Sequence, residues 1–333
     1  MNVLVTGGTG FLGQRLALRL LSEGAQVTVL GRNEAIGKQL EAQGARFFRA
    51  DLADAERVSE ACHGQEVVFH SGALSSPWGR YEEFHRANVL GTRHVTESCR
   101  AHGVRRLVHV STPSLYFDFR DRHQIAEHDP LPAKSVNAYA TTKRMAEDIV
   151  DEAHRQGLET ITFRPRALFG PGDTTILPRL IRANRKGSLP LFGSESPLID
   201  ITYVDNVVDA LILGRDARPE ALGRKYNITN GEPVRLHAIL EKLFARLEMP
   251  YRPRPIPYAV AYGLAGAMEL VSATLLGGKE PLLTRYSVGV LAKSQTLDIS
   301  AARDLLGYVP RVSVDEGLEA FVTWWQETEG LKS

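Results

Sequence analysis

A tyrosine followed four residues later by a lysine is the pair of side chains with the clearest chemical potential in this sequence. Tyr139 and Lys143 lie in YATTK, early in a helical stretch, so that both project from one helix face. A phenol is a poor base near neutral pH because its pKa is about 10. A nearby ammonium group is expected to lower that pKa. Tyr139 is then able to exchange a proton with a carbinol or carbonyl oxygen.

Such a reaction needs a second hydroxyl group to fix the substrate oxygen. The fifth predicted strand ends in Val110-Ser111-Thr112-Pro113. Ligands bind at the carboxyl ends of the strands in open α/β sheets. Ser111 and Thr112 are therefore candidates for the hydroxyl group that contacts the substrate.

A glycine-rich turn near the N-terminus predicts a dinucleotide cofactor. Gly7, Gly10 and Gly13 are spaced GxxGxxG between a strand and an amphipathic helix. Glycines let the backbone turn tightly and approach phosphate oxygens, and the N–H groups at the helix start face the anion. The strand–turn–helix context makes this pattern more specific than glycine spacing alone.

The end of the second strand indicates which dinucleotide binds. No carboxylate follows VTVL, and Arg32 stands there instead. A guanidinium group suits a 2′-phosphate, so NADP(H) is favoured and NAD(H) stays possible. In the alternative interpretation Arg32 is a solvated loop residue, and Glu34 or a backbone group serves NAD. Asp51 and Leu52 follow the third strand, where they are placed to touch the adenine ring.

Strands alternate with helices through the first half of the chain. This order predicts an α/β fold: a Rossmann-like, doubly wound parallel sheet with a smaller, mainly helical C-terminal substrate region. We expect residues 1–165 to form the dinucleotide-binding domain, with a segment near 199–230 returning to it, and residues 166–333 to bind substrate. The predicted strands are Asn2–Thr6, Gln26–Leu30, Arg46–Ala50, Glu66–His70, Arg106–Ser111, Thr160–Phe163 and a short IDITYV strand; the predicted helices are Phe11–Glu23, Tyr81–His102, Ala138–Gln156, 235–247, 258–276 and 314–327.

The bulk composition excludes several classes of partner. The formal net charge is +1, so the protein lacks the strongly positive electrostatic field that binding to nucleic acid requires. Cys62 and Cys99 stand without metal-ligand or disulfide spacing, so no metal site is predicted. The N-terminal residues already read as a strand rather than a targeting segment. A cytoplasmic protein is therefore expected.

Taken together, these motifs resemble the extended short-chain dehydrogenase/reductases, also grouped as NAD-dependent epimerases and dehydratases. The matching segments are TGGTGFLG, ADL, HSGA, ANVLGT, VSTPSLY, YATTK, RPRALFGPGD, TYVDNVVDA and YNITNG. The resemblance implies Tyr139 as acid/base, Lys143 as its activator and ribose ligand, Thr112 as the donor to the substrate oxygen with Ser111 as alternative, and Asn88 as a supporting residue. It also implies a homodimer. Pro113 and Phe117 depart from the family pattern at this wall of the site.

The residues expected to contact the cofactor include small residues that follow the fourth strand, where the cofactor passes closely. The full predicted set is Gly7, Thr9, Gly10, Phe11, Leu12, Gly13, Arg32, Asp51, Leu52, Ser71, Gly72, Ala73, Tyr139, Lys143 and Pro165.

Two absences argue against a sugar-nucleotide substrate. The dehydratases of this group carry an Asp-Glu pair after the catalytic threonine, where this chain has Pro113-Ser114. Its epimerases usually place an arginine before the YVDD strand, where this chain has Pro197-Leu198-Ile199-Asp200. The C-terminal run SVGVLAKSQTLDISAARDLLGYVPRVSVDEGLEAFVTWW resembles the 3β-hydroxysteroid dehydrogenase branch, which also includes reductases of 2-alkyl-3-oxoacids. The resemblance implies an apolar substrate.

One apolar stretch, Tyr258–Leu276, carries Glu269 as its single charge. It has the length of a membrane span, but its Ala/Gly-rich composition and the preceding YRPRPIP argue against spanning. A wall of an apolar pocket, a homodimer face and peripheral contact with a membrane surface are the interpretations left open.

The sequence thus predicts an NAD(P)-dependent oxidoreductase that interconverts a secondary alcohol and a ketone on an apolar small molecule. An epimerase or isomerase that retains its NAD is the alternative, and a non-catalytic dinucleotide sensor is a second one. Four arginines are candidates to meet a substrate carboxylate, although surface or structural pairing is expected for most of them: Arg164, Arg166, Arg179 and Arg182.

Overall fold

A computed structural model describes residues 1–193 and 196–330, so the end of the predicted substrate-binding region, 331–333, lies outside the described residues. The strands are β1 Asn2–Thr6, β2 Gln26–Gly31, β3 Arg46–Arg49, β4 Val67–His70, β5 Arg106–Val110, β6 Arg122–Ile125, β7 Glu159–Pro165, β8 Leu168–Phe169, β9 Leu189–Phe192, β10 Leu198–Ile199, β11 Thr202–Tyr203, β12 Lys225–Ile228, β13 Val234–Arg235, β14 Pro253–Ile256 and β15 Gln295–Leu297.

The helices are α1 Phe11–Ser22, α2 Glu34–Ala42, α3 Ala55–Cys62, α4 Tyr81–Phe84, α5 Gly91–Ala101, α6 Ala138–Arg155, α7 Leu177–Arg185, α8 Val204–Arg215, α9 Leu236–Arg246, α10 Tyr258–Leu275, α11 Arg285–Ala292, α12 Ser300–Leu306 and α13 Val314–Gly330. A π-helical segment, His85–Leu90, joins α4 to α5, and short 3-10 turns lie at Pro113–Tyr116 and Pro219–Ala221.

Seven parallel strands form the central sheet, which confirms the predicted fold class. Their order is β12-β7-β5-β4-β1-β2-β3, and each neighbouring pair runs in the same direction. The strand order reverses beside β1. Because ligands bind at such a switch point, outside the carboxyl ends of the strands, the fold places a site between β1 and β4.

Both faces of the sheet are covered by helices, as the continuous apolar runs of the strands require. On one face, side chains of β1, β2 and β7 pack with Leu16, Leu20 and Leu211. On the other face, Leu4 and Leu107 pack with residues of α3, α5 and α6. The strands that carry the glycine turn and the hydroxyl residues are therefore anchored on both sides.

The second half of the chain contributes to the sheet and builds a separate apolar cluster. β12 pairs with β7 at the edge of the central sheet. The other cluster is formed mainly by residues of α7, α9 and α13, including Leu243, Phe244 and Phe321. A smaller group joins Ala261 and Ala265 of α10 to Val288 of α11 and Phe192.

Two local predictions were wrong. The single helix expected over Tyr81–His102 is interrupted by the π-helical segment. The IDITYV strand is two strands of two residues each, β10 and β11. Asp205 lies within the first turn of α8 and forms an ion pair with Arg15.

Candidate active site

The glycine turn leaves no room for side chains. Gly7 has a φ of +67°, and a Cβ there would lie 2.5 Å from Cα of Gly72. A Cβ on Gly13 would lie 2.3 Å from the carbonyl oxygen of Gly7. Gly7 thus packs directly on the segment after β4, and Gly13 lets α1 begin against the turn.

A cleft of about 470 Å³ opens beside this turn. The predicted cofactor residues that line it are Gly7, Thr9, Gly10, Arg32, Asp51, Leu52, Ser71, Gly72 and Ala73. Leu12 instead packs against the core, and Pro165 is the last residue of β7. Phe11 is the first residue of α1 and is half-buried. The side-chain-free turn at a helix N-terminus, open to this cleft, fits the diphosphate of a dinucleotide.

Arg32 lies at the rim of the cleft. Its side chain is 75% exposed, and Nη1 lies 3.6 Å from Oδ2 of Asp51. Glu34, the alternative partner for a ribose, is engaged by Lys38 and Arg49. A cation thus faces the cleft where β2 ends, while the nearby glutamate has partners of its own.

The predicted catalytic residues come together at the carboxyl ends of the strands. Tyr139 stands in the first turn of α6, which Asn137 caps by accepting the Ala140 N–H at 2.8 Å. Burial raises the pKa of Tyr139, while the side chains of Ser75 and Thr112 act in the opposite direction. The sequence-based expectation was a lowered pKa. In the protein alone burial has the larger effect, which keeps the phenol protonated.

Lys143 is buried one turn further along α6. Its Nζ donates to the carbonyl oxygen of Val110 at 2.8 Å and lies 3.5 Å from Nε2 of His109. Burial lowers the pKa of Lys143 to about 8, and Glu147 opposes that shift. The ammonium group is therefore held below the strand end that carries the hydroxyl residues.

Two histidines beneath Lys143 are neutral core residues. Burial lowers the pKa of His70 to about 3, and its ring bonds to the hydroxyls of Thr6 at 2.7 Å and Thr92 at 3.0 Å. Burial also lowers the pKa of His109. Within residues 1–193 and 196–330, no group of three His, Cys, Asp or Glu side chains is arranged to hold a metal ion.

Asn88 connects three parts of the site. It lies in the π-helical segment, and its Oδ1 accepts the Leu74 N–H at 2.7 Å. Its Nδ2 donates to Leu74 O and to the Thr142 hydroxyl, both at 3.1 Å. Asn88 thereby ties the segment after β4 to α6, next to Tyr139 and Lys143.

A chain of hydroxyl groups extends the site beyond the predicted residues. Thr112 donates to Ser114 Oγ at 3.0 Å, and Ser114 Oγ bonds to the Tyr286 hydroxyl at 2.8 Å. Ser111 Oγ is buried and has no hydrogen-bond partner among the described residues. None of the sequence motifs contains Ser75 or Tyr286, and the position of Ser75 just after HSGA is the one local signal for it.

Aromatic rings lead from this chain of hydroxyls toward α10. Phe117 contacts Tyr286 and Phe119, with ring centroids 5.8 and 5.2 Å apart, and Phe119 contacts Tyr262 at 5.6 Å. Phe117, which departs from the family pattern, is thus the ring beside the hydroxyl chain. The wall next to the site is therefore largely aromatic.

The helix α10 buries little of its surface. By length and composition alone, α10 could cross a membrane, since its mean hydropathy is 1.2. Only 22% of the helix is buried against the rest of the protein. Val260, Leu264, Val271 and Leu275 are exposed along one side. Its single charge, Glu269, is turned inward and pairs with Arg285 at 2.6 Å.

Comparison with known proteins places these features in context. Residues 4–257 match the family described as 3-beta hydroxysteroid dehydrogenase/isomerase. The chain is 39% identical over 325 residues to 2-alkyl-3-oxoalkanoate reductase of Stenotrophomonas maltophilia, covering 96% of this chain and 97% of that one. It is 32% identical over 326 residues to sterol-4-alpha-carboxylate 3-dehydrogenase, decarboxylating, of Mus musculus, covering 96% and 89%. Among solved structures, MoeE5 in complex with UDP-glucose and NAD aligns with a TM-score of 0.79 and 25% identity, covering 99% of this chain and 100% of that one.

Proposed function

The chain belongs to the 3-beta hydroxysteroid dehydrogenase/isomerase family, and we propose that it acts on a sterol or a 2-alkyl-3-oxoacid and prefers NADP(H). It is an oxidoreductase that uses a nicotinamide dinucleotide and interconverts a secondary alcohol and a ketone on an apolar substrate. The observation that carries the proposed assignment of its site is the convergence of Thr112, Tyr139 and Lys143 beside the glycine-lined cleft.

Each of these side chains has a task in the reduction of a ketone. When bound, a nicotinamide dinucleotide supplies the hydride that reaches the carbonyl carbon. The Thr112 hydroxyl donates a hydrogen bond to the carbonyl oxygen, and the protonated Tyr139 hydroxyl transfers its proton to that oxygen. Lys143 contributes the positive charge that favours the resulting phenolate. The reverse transfers oxidise the alcohol.

The decisive experiment replaces the acid. Tyr139→Phe removes the transferable proton and keeps the ring, so we expect turnover to fall by about 10²- to 10⁴-fold, the usual contribution of general acid catalysis. Titration with NADPH, followed by fluorescence, should give an unchanged dissociation constant. Thr141→Val, on the same helix turn, is the matched control and should keep its activity. Retained turnover in Tyr139→Phe would contradict the role assigned to Tyr139.

The proposed preference for NADP(H) rests on Arg32. A guanidinium group at the rim of the cleft can bind the 2′-phosphate that distinguishes NADP from NAD. We expect Arg32→Ala to weaken NADPH binding by about 10-fold or more, as the loss of a charge-assisted hydrogen bond does, and to leave NADH binding unchanged. Arg49→Ala removes an exposed arginine that pairs with Glu34 and is the control. Equal affinities for both cofactors in the wild type would overturn this preference.

The epimerase alternative is less well supported. Relatives named as a reductase or a dehydrogenase match this chain at 39% and 32% identity. A UDP-glucuronic acid 4-epimerase of Bacillus cereus matches at 22%, which shows a shared fold. Because an epimerase regenerates its cofactor, it would retain NAD through purification and consume no added NADPH. The reductase relatives also argue against a non-catalytic dinucleotide sensor.

We also propose a cytoplasmic homodimer that contacts a lipid surface through α10. The outward side of that helix is uncharged, while exposed cations precede and follow it at Arg252, Arg254 and Lys279. An apolar helix side flanked by cations is typical of segments that lie on membranes. The aromatic rings from Tyr262 to Tyr286 connect α10 to the hydroxyl chain, a suitable route for an apolar substrate.

A further inference from the structure

Arg166 is a buried cation next to the site that the proposed reaction leaves without a task. It follows β7 directly, at the carboxyl edge of the sheet where ligands bind. The side chain is only 6% exposed, and its Nε has no hydrogen-bond partner among the described residues. A buried arginine without a partner is unfavourable, because guanidinium nitrogens lose their water and gain nothing in return.

The other arginines considered as carboxylate ligands behave differently. Arg164 is buried and pairs with Glu147, with Nη2 2.5 Å from Oε2. Arg179 is exposed and pairs with Glu280 at 3.3 Å. Arg182 is exposed on α7. Arg166 therefore stands apart as the buried one of the four for which the described residues supply no ion pair.

A buried acidic side chain, Asp200, acts on Arg166 without forming an ion pair with it. Asp200 is 1% exposed and influences Arg166 electrostatically, but no contact within 4.0 Å joins the two in the described part of the chain. Asp200 Oδ2 accepts the Leu297 N–H at 2.7 Å. Burial raises the pKa of Asp200 to about 6, while the Leu297 N–H and the charge of Arg166 act in the opposite direction. The guanidinium group of Arg166 remains available to another carboxylate.

Arg166 lies within electrostatic range of the hydroxyl chain. Its other electrostatic neighbour is Tyr286, the last member of the hydroxyl chain that begins at Thr112. A substrate whose carbonyl oxygen meets Thr112 and Tyr139 would thus have Arg166 on the side of Tyr286. Both relatives described above are named for substrates with a carboxyl group two bonds from the reacting carbon.

We propose that Arg166 binds a carboxylate placed two bonds from the reacting carbon, and so makes the protein selective for 3-oxo and 3-hydroxy acids over neutral ketones and alcohols. This inference rests on the proposed function and adds its specificity-determining residue. A planar guanidinium group binds a carboxylate through two parallel hydrogen bonds, which fixes the orientation of the substrate as well as its charge.

The first test compares a 2-alkyl-3-hydroxy acid with its methyl ester, both oxidised with NADP⁺. The hydroxy acid is chosen because it does not lose its carboxyl group spontaneously. In the wild type we expect the acid to have the higher kcat/KM. Arg166→Gln should raise KM for the acid by about 10- to 100-fold, the effect of losing a charge-assisted hydrogen bond, and leave the ester within about two-fold. Arg166→Lys should recover part of the difference.

Equal losses for acid and ester in Arg166→Gln, or a wild type that does not prefer the acid, would overturn the proposal. Arg179→Gln removes a paired, exposed arginine and should change neither substrate. Thermal unfolding of each variant shows whether Arg166→Gln is folded, and Arg166→Met provides a second neutral variant.

A binding experiment separates this proposal from the proposed function. A 2-alkyl alkanoic acid has the carboxylate but no reacting oxygen, and its binding to the cofactor-loaded protein is measured by calorimetry. Binding by the wild type that is lost in Arg166→Gln and Arg166→Met supports the carboxylate site even where no substrate is turned over. Unchanged binding in both variants overturns the carboxylate site. Absence of turnover with acid and ester alike overturns the proposed reaction alone.

Discussion

The ammonium group of Lys143 is buried, and burial disfavours its positive charge. Burial lowers the pKa of Lys143 to about 8, so the group is charged at neutral pH and becomes neutral as the pH rises through that value. Burial shifts the pKa of Tyr139 upward, so Tyr139 stays protonated over the same range. The two members of YATTK therefore titrate in separate windows, with the lysine first.

This order gives a pH prediction. We expect kcat/KM for ketone reduction, which reports the free enzyme, to fall as the pH rises through about 8, because Lys143 loses its charge there. Lys143→Arg keeps a cation that does not titrate and should remove that inflection, at whatever reduced rate it retains. A wild-type profile that is flat up to about pH 10, the ordinary phenol range, would contradict the assignment.

Local sequence patterns predicted those site residues whose positions depend only on neighbouring residues in the chain. YATTK fixes Tyr139 and Lys143 on one helix face, and the glycine turn needs only the adjoining strand and helix. Ser114, Tyr286 and Arg166 come from distant parts of the chain, and only packing brings the first two within 2.8 Å. No spacing rule connects residues that lie so far apart in the sequence. The sequence therefore offered four arginines as ligands for a substrate carboxylate and could not single out Arg166.

Among the elements that position the site, the π-helical segment His85–Leu90 was not predicted from the sequence. The apolar spacing of Tyr81–His102 fits one continuous helix. A single wider turn changes that spacing too little to be detected in the sequence. The wider turn is where Asn88 reaches the backbone of Leu74. Such turns in α-helices are often found at functional sites.

Asn88 therefore tests what this element contributes. In Asn88→Ala the Leu74 N–H loses its acceptor and the Thr142 hydroxyl oxygen loses one donor, so the free energy of unfolding should fall by about 1–3 kcal/mol. Because the segment after β4 and α6 both line the site, kcat should fall as well. Asn184→Ala removes another buried amide, which bonds to Pro250 O and Arg252 N away from the site. It should lose comparable stability in urea unfolding and keep its kcat; an equal kcat in both variants would mean that Asn88 only supports the fold.

At the scale of the whole molecule, the alternation of strands and helices predicted the fold class. It did not predict which residues of the C-terminal region lie on the surface. The sequence left three interpretations for Tyr258–Leu276. The structure shows α10 packed by Ala261 and Ala265 against Val288 and Phe192, with its larger aliphatic side chains outside. Periodicity could not show this, because small residues face inward and leucines face outward.

The outward side of α10 is the basis of the last prediction. Leu264 and Leu275 are 54% and 77% exposed, and we expect the wild type to sediment with vesicles of phosphatidylcholine and phosphatidylglycerol. Leu264→Glu/Leu275→Glu should weaken this partitioning by about 100-fold or more, since burying each leucine is worth roughly 1.5–3 kcal/mol and the new charges are repelled by anionic lipid. Leu18→Glu, an exposed position on α1, is the control and should bind vesicles normally. If the proposed homodimer forms through a surface other than α10, the double variant should stay dimeric in analytical ultracentrifugation. If the wild type does not bind vesicles and the double variant becomes monomeric, this side of α10 would instead be assigned to the subunit interface.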